Sequence, residues 1–392
     1  FQKVGKLEFE KEKKWVIPIF DNDLIYKSNL NIIWNYLKKN KNCLLLFTDE
    51  DCIDNSGKRF NPNFKTSWNL EMFLSNPNFG SSWIISTEIW NAALEISKDF
   101  NKNNDFKIVI LICVFLCESN RNNNSIQHLP LVCYHSKQKY LVESSKLPND
   151  TYASFIKKFL KSKWTNLGNC KEVKINTFNT GYKFFWSVPK DVLLSIIIPT
   201  KDKVSLLKNC IHSIQSLKCG VNYEILIVDN HSKNKDTLKY LKYLKSNFHH
   251  TIKVYKYNRS FNYSKINNYA FSFAKGDVIL FLNNDVEFIS SNWGYELSSN
   301  ALRPRIGCVG SKLLYPNNTI QHAGVVLGIH GTAGHSHKYF RENDHGYQNR
   351  ISLCHEVSAV TGACMAISKE KFKNIGMFDE KLFKVNFNDV DL

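Results

Sequence analysis

Apolar residues recur with two different periods in the second half of the chain. Leu194-Ser-Ile-Ile-Ile-Pro-Thr200 is a short, β-branched run closed by Pro199, the pattern of a strand buried on both faces of a parallel sheet. Leu207, Cys210, Ile211, Ile214 and Leu217 then fall at helical spacing. Gly220 and Asn222 punctuate the chain before a second apolar run over Glu224–Asn230. A Lys-rich helix over 235–246, a strand over Ile252–Tyr255, a helix over Asn267–Ala274 and a strand over Val278–Leu282 follow. This alternation predicts an α/β fold with a doubly wound sheet and right-handed crossovers. Ligands of such sheets lie beyond the carboxyl ends of the strands, where Asp229 and the turn Asn283-Asn284-Asp285 fall.

The first half repeats part of this pattern. Trp15–Asp23 lies over Asp277–Asp285 without a gap, matching at a Val, an Ile, the middle Asn and the final Asp. Asn104-Asp105 before Phe106-Lys107-Ile108 resembles Asn388-Asp389 before Val390-Asp391-Leu392. Two matches in the same order predict a tandem. A partial first copy covers 1–135, a Lys-rich and aromatic joining segment 136–190, and a nearly complete second copy 191–392. The first copy then lacks its opening strands and the second its end, so the chain reads as a piece of a longer protein. The stretch Phe106–Cys117 reads as a buried core segment, too short to span a bilayer.

Charge narrows the partners. Lys+Arg 52 against Asp+Glu 35 gives +17, which suits a phosphorylated metabolite or an anionic membrane surface. Only seven basic residues are Arg (59, 121, 259, 303, 305, 341 and 350). Without a reading motif or aromatic platform, the chain does not read as a nucleic-acid binder. Eleven scattered Cys with no C-x-x-C predict packed, reduced thiols in a cytoplasmic protein. No Gly-rich loop follows the first strand, which argues against dinucleotide dehydrogenases, P-loop NTPases and sugar nucleotidyltransferases.

An acidic turn at the end of a buried strand desolvates its carboxylates and sets them against each other unless a cation lies between. A divalent ion with oxygen ligands relieves that conflict and neutralises a diphosphate at the same time. Asp21-Asn22-Asp23 and Asn283-Asn284-Asp285 both have this form. A single such turn is more simply a solvated, helix-capping loop; two of them, each after an apolar strand, favour the cation.

At this point a resemblance becomes specific. Ile196-Ile-Ile-Pro-Thr200, Ile227-Val-Asp-Asn230, Phe261–Ala270, Ala274-Lys-Gly-Asp277 and Leu282-Asn-Asn-Asp285 occur in order. They are followed by Val309–Pro316, Ile320–Gly328, Ala359–Cys364, Gly376–Glu380 and Phe387–Leu392. This block resembles a family 2 glycosyltransferase of GT-A fold, in particular the bacterial rhamnosyltransferase-like enzymes of O-antigen and surface-polysaccharide assembly. Phe20–Leu24, Thr48–Asp54, Phe64–Trp68 and His128–His135 resemble the same family more faintly.

The resemblance implies inverting transfer from a nucleotide-sugar donor to a glycan or lipid-linked glycan acceptor, in the cytoplasm or peripherally on the inner face of the membrane. Pro199, Thr200, Asp229, Asn283 and Asn284 would contact the nucleotide sugar, Asp285 would bind Mg²⁺ or Mn²⁺, and Asp389 would be the general base. In the first copy, Asp21, Asp23 and His135 would be the metal residues. Asn283 departs from the general D-x-D pattern, Asn388 stands where many relatives have Glu, and Met377 interrupts the usual Gly-Gly-Phe-Asp. Lys107 and Leu111 replace an expected Asp and Arg, which puts activity of the first copy in doubt. The alternative is an inactive glycosyltransferase-like scaffold or acceptor-binding module. Lys201, Lys203 and Arg259 are candidates for pairing with phosphates or for a solvated surface. His322 is a candidate for an acceptor contact or a structural hydrogen bond, and His330, His335 and His337 read as an acceptor-facing loop.

Overall fold

The computed structural model describes residues 3–7, 14–20, 22–76, 79–99, 106–119, 124–137, 150–175 and 180–392, so Asp21, Asn104 and Asp105 lie outside the described residues. The chain divides into two compact units. The first comprises Phe1–Phe159, Val173–Lys183 and Ser352–Glu356, and the second Leu160–Glu172, Phe184–Ile351 and Val357–Leu392.

In the first unit, strands β1 (Lys3–Leu7), β2 (Trp15–Ile19), β3 (Leu45–Ile53), β4 (Arg59–Asn63), β5 (Trp83–Ser86) and β6 (Ile126–Lys137) form one sheet. β5 runs antiparallel between β2 and β3, and β6 runs parallel to β3. The apolar stretch after Asp105 is the helix α4 (Phe106–Ser119), which follows α1 (Lys27–Lys39), α2 (Leu70–Ser75) and α3 (Thr87–Ser97). Ile108 to Val114 are all buried. Among the described residues no helix is long and apolar enough to cross a membrane.

The second unit carries the α/β sheet expected from the alternating runs. β9 (Leu193–Thr200), β10 (Asn222–Asp229), β11 (Ile252–Lys256) and β12 (Val278–Leu282) are parallel, in the order β11-β10-β9-β12. β14 (Cys364–Ser368) adds antiparallel to β12, and β13 (Cys308–Gly310) to β14. Alternate residues of each strand enter opposite layers. Ile196, Ile198, Ile225 and Ile227 pack in one cluster, and Ile197, Leu226, Val228 and Ile279 in the other. With both faces covered, the strands have no polar face to show, which is why they read as continuous apolar runs.

The helices between them are α6 (Val204–Ser216), α7 (Lys235–Asn247) and α8 (Tyr263–Phe271); α5 (Asp150–Ser162) and the short strands β7 (Cys170–Ile175) and β8 (Tyr182–Trp186) precede β9. α8 begins earlier than its apolar spacing predicts, because Asn262 caps it by accepting the Lys265 N–H at 2.9 Å. The joining segment contributes Leu167 and Trp186 to the second unit. The Arg303 guanidinium lies 3.9 Å from the Trp186 ring and its Nε donates to the Leu167 carbonyl.

The two units share one local construction. Ser86 and Ser368 each end an antiparallel strand and cap the helix that follows, by accepting from Ile89 and Lys371. Each is followed by Glu and then an aromatic at matching places, Glu88 and Trp90 or Glu370 and Phe372. Ser86 pairs with Trp15 and Ser368 with Val278. Counted from these registers, Trp15 stands at the place of Val278 rather than Asp277, and Asn22 rather than Asp23 at that of Asp285. The gapless superposition is therefore displaced by one residue.

Candidate active site

The parallel strands of the second unit deliver their carboxyl ends to one edge, where a cleft of about 620 Å³ opens. Pro199, Thr200, Asn230, Asn283, Asn284, Asp285 and Asp389 all line it. The Thr200 hydroxyl accepts from the Asn284 amide at 3.0 Å, and the Thr200 carbonyl from the Asn230 N–H at 2.8 Å, so the ends of β9, β10 and β12 are tied together.

Asp229 sits beneath this surface. Its side chain is buried and accepts the Ser232 N–H at 3.0 Å. The cleft-lining residue at the end of β10 is Asn230, whose amide donates to the Tyr257 and Arg259 carbonyls. Asn230 belongs to the Ile-Val-Asp-Asn motif, in which nothing local distinguishes the side chain that reaches the cleft from the one held beneath it.

Asp389 stands in the first turn of α11 (Asn388–Asp391), which follows α9 (Trp293–Ala301) and α10 (Lys369–Asn374). Its Oδ2 accepts the Gly362 N–H at 2.8 Å. The Gly362 carbonyl accepts from the Tyr263 hydroxyl at 2.8 Å. Burial and then the Asp389 charge push the Tyr263 hydroxyl well above its usual pKa, so it remains a donor. The same two causes push the Cys308 thiol up to about 11. A Cβ at Gly362 would lie 3.0 Å from the Tyr263 hydroxyl and 3.6 Å from the Asp389 Cβ. Gly362 and Tyr263 lie in separate motifs of the sequence, and their meeting with Asp389 is a tertiary event that no local pattern encodes.

Asp285 is exposed at the cleft. Among the described residues no three His, Cys, Asp or Glu side chains gather as a metal cage. A hard cation needs no such cage when substrate phosphates and water complete its shell. The Asp285 carboxylate with two Asn side chains beside it is an oxygen donor set of that open kind.

The first unit uses its acids differently. Asp23 is buried, with Oδ2 accepting the Tyr134 hydroxyl at 2.7 Å and Oδ1 the Lys137 N–H at 3.0 Å. Burial raises its pKa despite these donors. His135 is buried with Nδ1 2.5 Å from Asp51, while among the described residues its Nε2 has no hydrogen-bond partner. Along the same strand Asp49 meets His128 at 2.9 Å and Glu50 meets Lys65 at 3.3 Å. The acidic run Asp49-Glu50-Asp51 is thus engaged in internal pairs.

His322 is also internal. It is 1% exposed, and its Nε2 accepts the N–H groups of Gly324 and Thr361 at 3.3 and 3.4 Å. Burial lowers its pKa to about 3, with His335 adding to the shift. The unfolded chain takes up a proton near pH 6.5, whereas the folded one stays neutral. Stability is therefore intact above that pH and lost as pH falls toward 3, by about 1.4 kcal/mol per unit. Denaturant titrations between pH 6 and 4 should show wild type losing stability faster than His322→Asn by about that slope. Parallel curves would refute it.

Residues 195–376 match the pattern of Glycosyl transferase family 2. This stretch of the second unit carries the pattern of a family 2 glycosyltransferase domain. An uncharacterized protein of Sinorhizobium fredii (strain NBRC 101917 / NGR234), y4gI, is 30% identical over 379 residues, covering 96% of this chain and 41% of the relative. The O-antigen biosynthesis protein RfbC of Myxococcus xanthus is 30% identical over 355 residues, 89% of this chain and 26% of the relative. The chain spans less than half the length of either. Among solved structures, the mannosyltransferase PcManGT from Pyrobaculum calidifontis in complex with GDP-Man and Mn²⁺ overlaps 52% of this chain and 53% of its own, at 14% identity and a TM-score of 0.38. GalNAc-T7 with UDP, GalNAc and Mn²⁺ overlaps 56% and 42%, at 18% identity and a TM-score of 0.41. These loose overlaps assign no ligand to this chain.

Proposed function

We propose that the second unit moves a sugar from a nucleotide-sugar donor to a growing surface-polysaccharide glycan, free or lipid-linked, with inversion at the anomeric carbon. The observation that carries this reading is the presence of Asp285 and Asp389 in one cleft at the carboxyl ends of the sheet. Asp389 takes the proton of an acceptor hydroxyl, the freed oxygen bonds to the anomeric carbon, and the bond to the nucleoside diphosphate breaks with its electron pair. Asp285, with Asn283 and Asn284 beside it, would hold Mg²⁺ or Mn²⁺, whose charge offsets that of the departing diphosphate. Pro199, Thr200 and Asn230 shape the donor side. The net charge of +17 favours peripheral attachment to an anionic inner membrane face.

We read the first unit as a related, non-catalytic copy over 1–135, joined through 136–190 to the copy over 191–392. The observation favouring this is that both carboxylate oxygens of Asp23 are satisfied internally. Calorimetry of the chain with UDP-, dTDP- and GDP-sugars, with and without Mn²⁺, tests the reading. Binding of one donor, strengthened by Mn²⁺, is expected; no binding of any would refute it.

Gly362→Ala should lower transfer by about tenfold to a hundredfold, the cost of displacing a catalytic group by a fraction of an ångström to an ångström. Donor affinity should hold. A steady-state comparison checks this, and an unchanged rate would mean that the Gly362 contact does not position Asp389.

A further inference from the structure

We propose that His335 positions the acceptor: its Nε2–H is held as a hydrogen-bond donor on the wall of the cleft that carries Asp389, and His322 behind it fixes that proton. The inference rests on the transfer reading above and names a further residue of the same site.

The argument begins with the buried ring. His322 is kept neutral by burial, so it has one ring proton. Its Nε2 receives two backbone N–H groups, from Gly324 and Thr361. A nitrogen that accepts carries no proton, so the proton of His322 is on Nδ1. That atom lies 3.2 Å from Nδ1 of His335. His335 Nδ1 must accept there, which places its own proton on Nε2. The Gln321 carbonyl oxygen lies 3.1 Å from the same Nδ1. It is left without that proton, because the one between the two rings belongs to His322. Both tautomers are assigned from this network of donors and acceptors.

The cleft wall follows from two consecutive amides. The Thr361 N–H binds His322, and the next N–H, of Gly362, binds Asp389. The dipeptide registers the His pair with the base. His335, on the short strand Ala333–His335, is exposed and lines the cleft, whereas His322 does not. With Nδ1 turned inward to His322, the Nε2 edge of the His335 ring is the one left for a ligand. The donor-side residues come from the ends of β9 and β10. An acceptor sugar that presents one hydroxyl to Asp389 therefore brings a neighbouring hydroxyl oxygen to a waiting N–H on His335.

The test begins with the ¹⁵N-histidine-labelled chain and long-range ring proton–nitrogen correlation. His322 should appear as the Nδ1–H tautomer and His335 as the Nε2–H tautomer. Titration with octyl glycosides of glucose, galactose, rhamnose and N-acetylglucosamine should shift the His335 Nε2 signal and leave His322 in place. An Nδ1–H tautomer at His335, or an Nε2 signal unmoved by every glycoside, overturns the proposal. In transfer to the best glycoside, His335→Ala should raise the acceptor KM about tenfold or more while the donor KM stays within about twofold. His335→Gln, which keeps a side-chain N–H, should recover most of the loss. An equal rise in both KM values, or no effect of Ala, overturns the assignment. A wild-type chain that transfers to no glycoside refutes the transfer reading alone, since the tautomers and the titration still decide the role of His335.

Discussion

Asp389→Asn should slow glycosyl transfer by roughly 10²–10⁴-fold, the contribution of a positioned base, while nucleotide-sugar affinity stays within about twofold. Asn is the informative replacement. Its Oδ1 can still accept the Gly362 N–H that holds Asp389, so the wall of the cleft keeps its shape and only the proton acceptor is lost. Initial rates at saturating donor, paired with calorimetric titration of the same variant, separate the two quantities. If rate and affinity fall together, Asp389 is holding the cleft's structure rather than taking a proton. If neither changes, the base is another group.

Asp285→Ala should abolish the strengthening of donor binding by Mn²⁺ and reduce transfer by at least about 10²-fold, as expected when charge stabilisation of a leaving group is removed. Asp285 is exposed, and among the described residues no hydrogen bond commits its side chain to the fold in the way Asp229 is committed, so the melting temperature should barely move. The comparison with Asp229→Ala is instructive. That change removes the acceptor of the buried Ser232 N–H, so it should cost stability first and donor affinity second. Titrations run with and without Mn²⁺ check the point. Mn²⁺-dependent binding that survives in Asp285→Ala would move the cation elsewhere.

The parallel strands were legible because burial on both faces leaves no polar alternation to confuse them, as in Val278–Leu282. Helix starts were less so. The apolar spacing of α8 becomes visible only at Asn267, whereas the helix is begun by a polar cap at Asn262. At the site, sequence placed Asp229, Asp285 and Asp389 at element ends, and all three are there. Which way a side chain turns at such an end is settled by its neighbours: Ser232 draws Asp229 beneath the cleft, and the equally buried Asn230 is the one that lines it. The contacts of Asp389 with Gly362 and of His322 with Thr361 join segments far apart in the chain, and no local pattern encodes them. The superposition of the two acidic turns by sequence missed the register by one residue, because it aligned the acids and not the Ser caps that fix the strand pairing.

The central claim is that a cation at Asp285 and a base at Asp389 face the same substrate across one cleft. Anomalous diffraction at the manganese edge, on crystals of the chain grown with Mn²⁺ and the nucleoside diphosphate it binds, tests this most directly. The account predicts a manganese peak at the Asp285 carboxylate, with the diphosphate in the cleft that also contains Asp389. A peak at Asp23 or His135 instead, or a diphosphate bound outside that cleft, would contradict it.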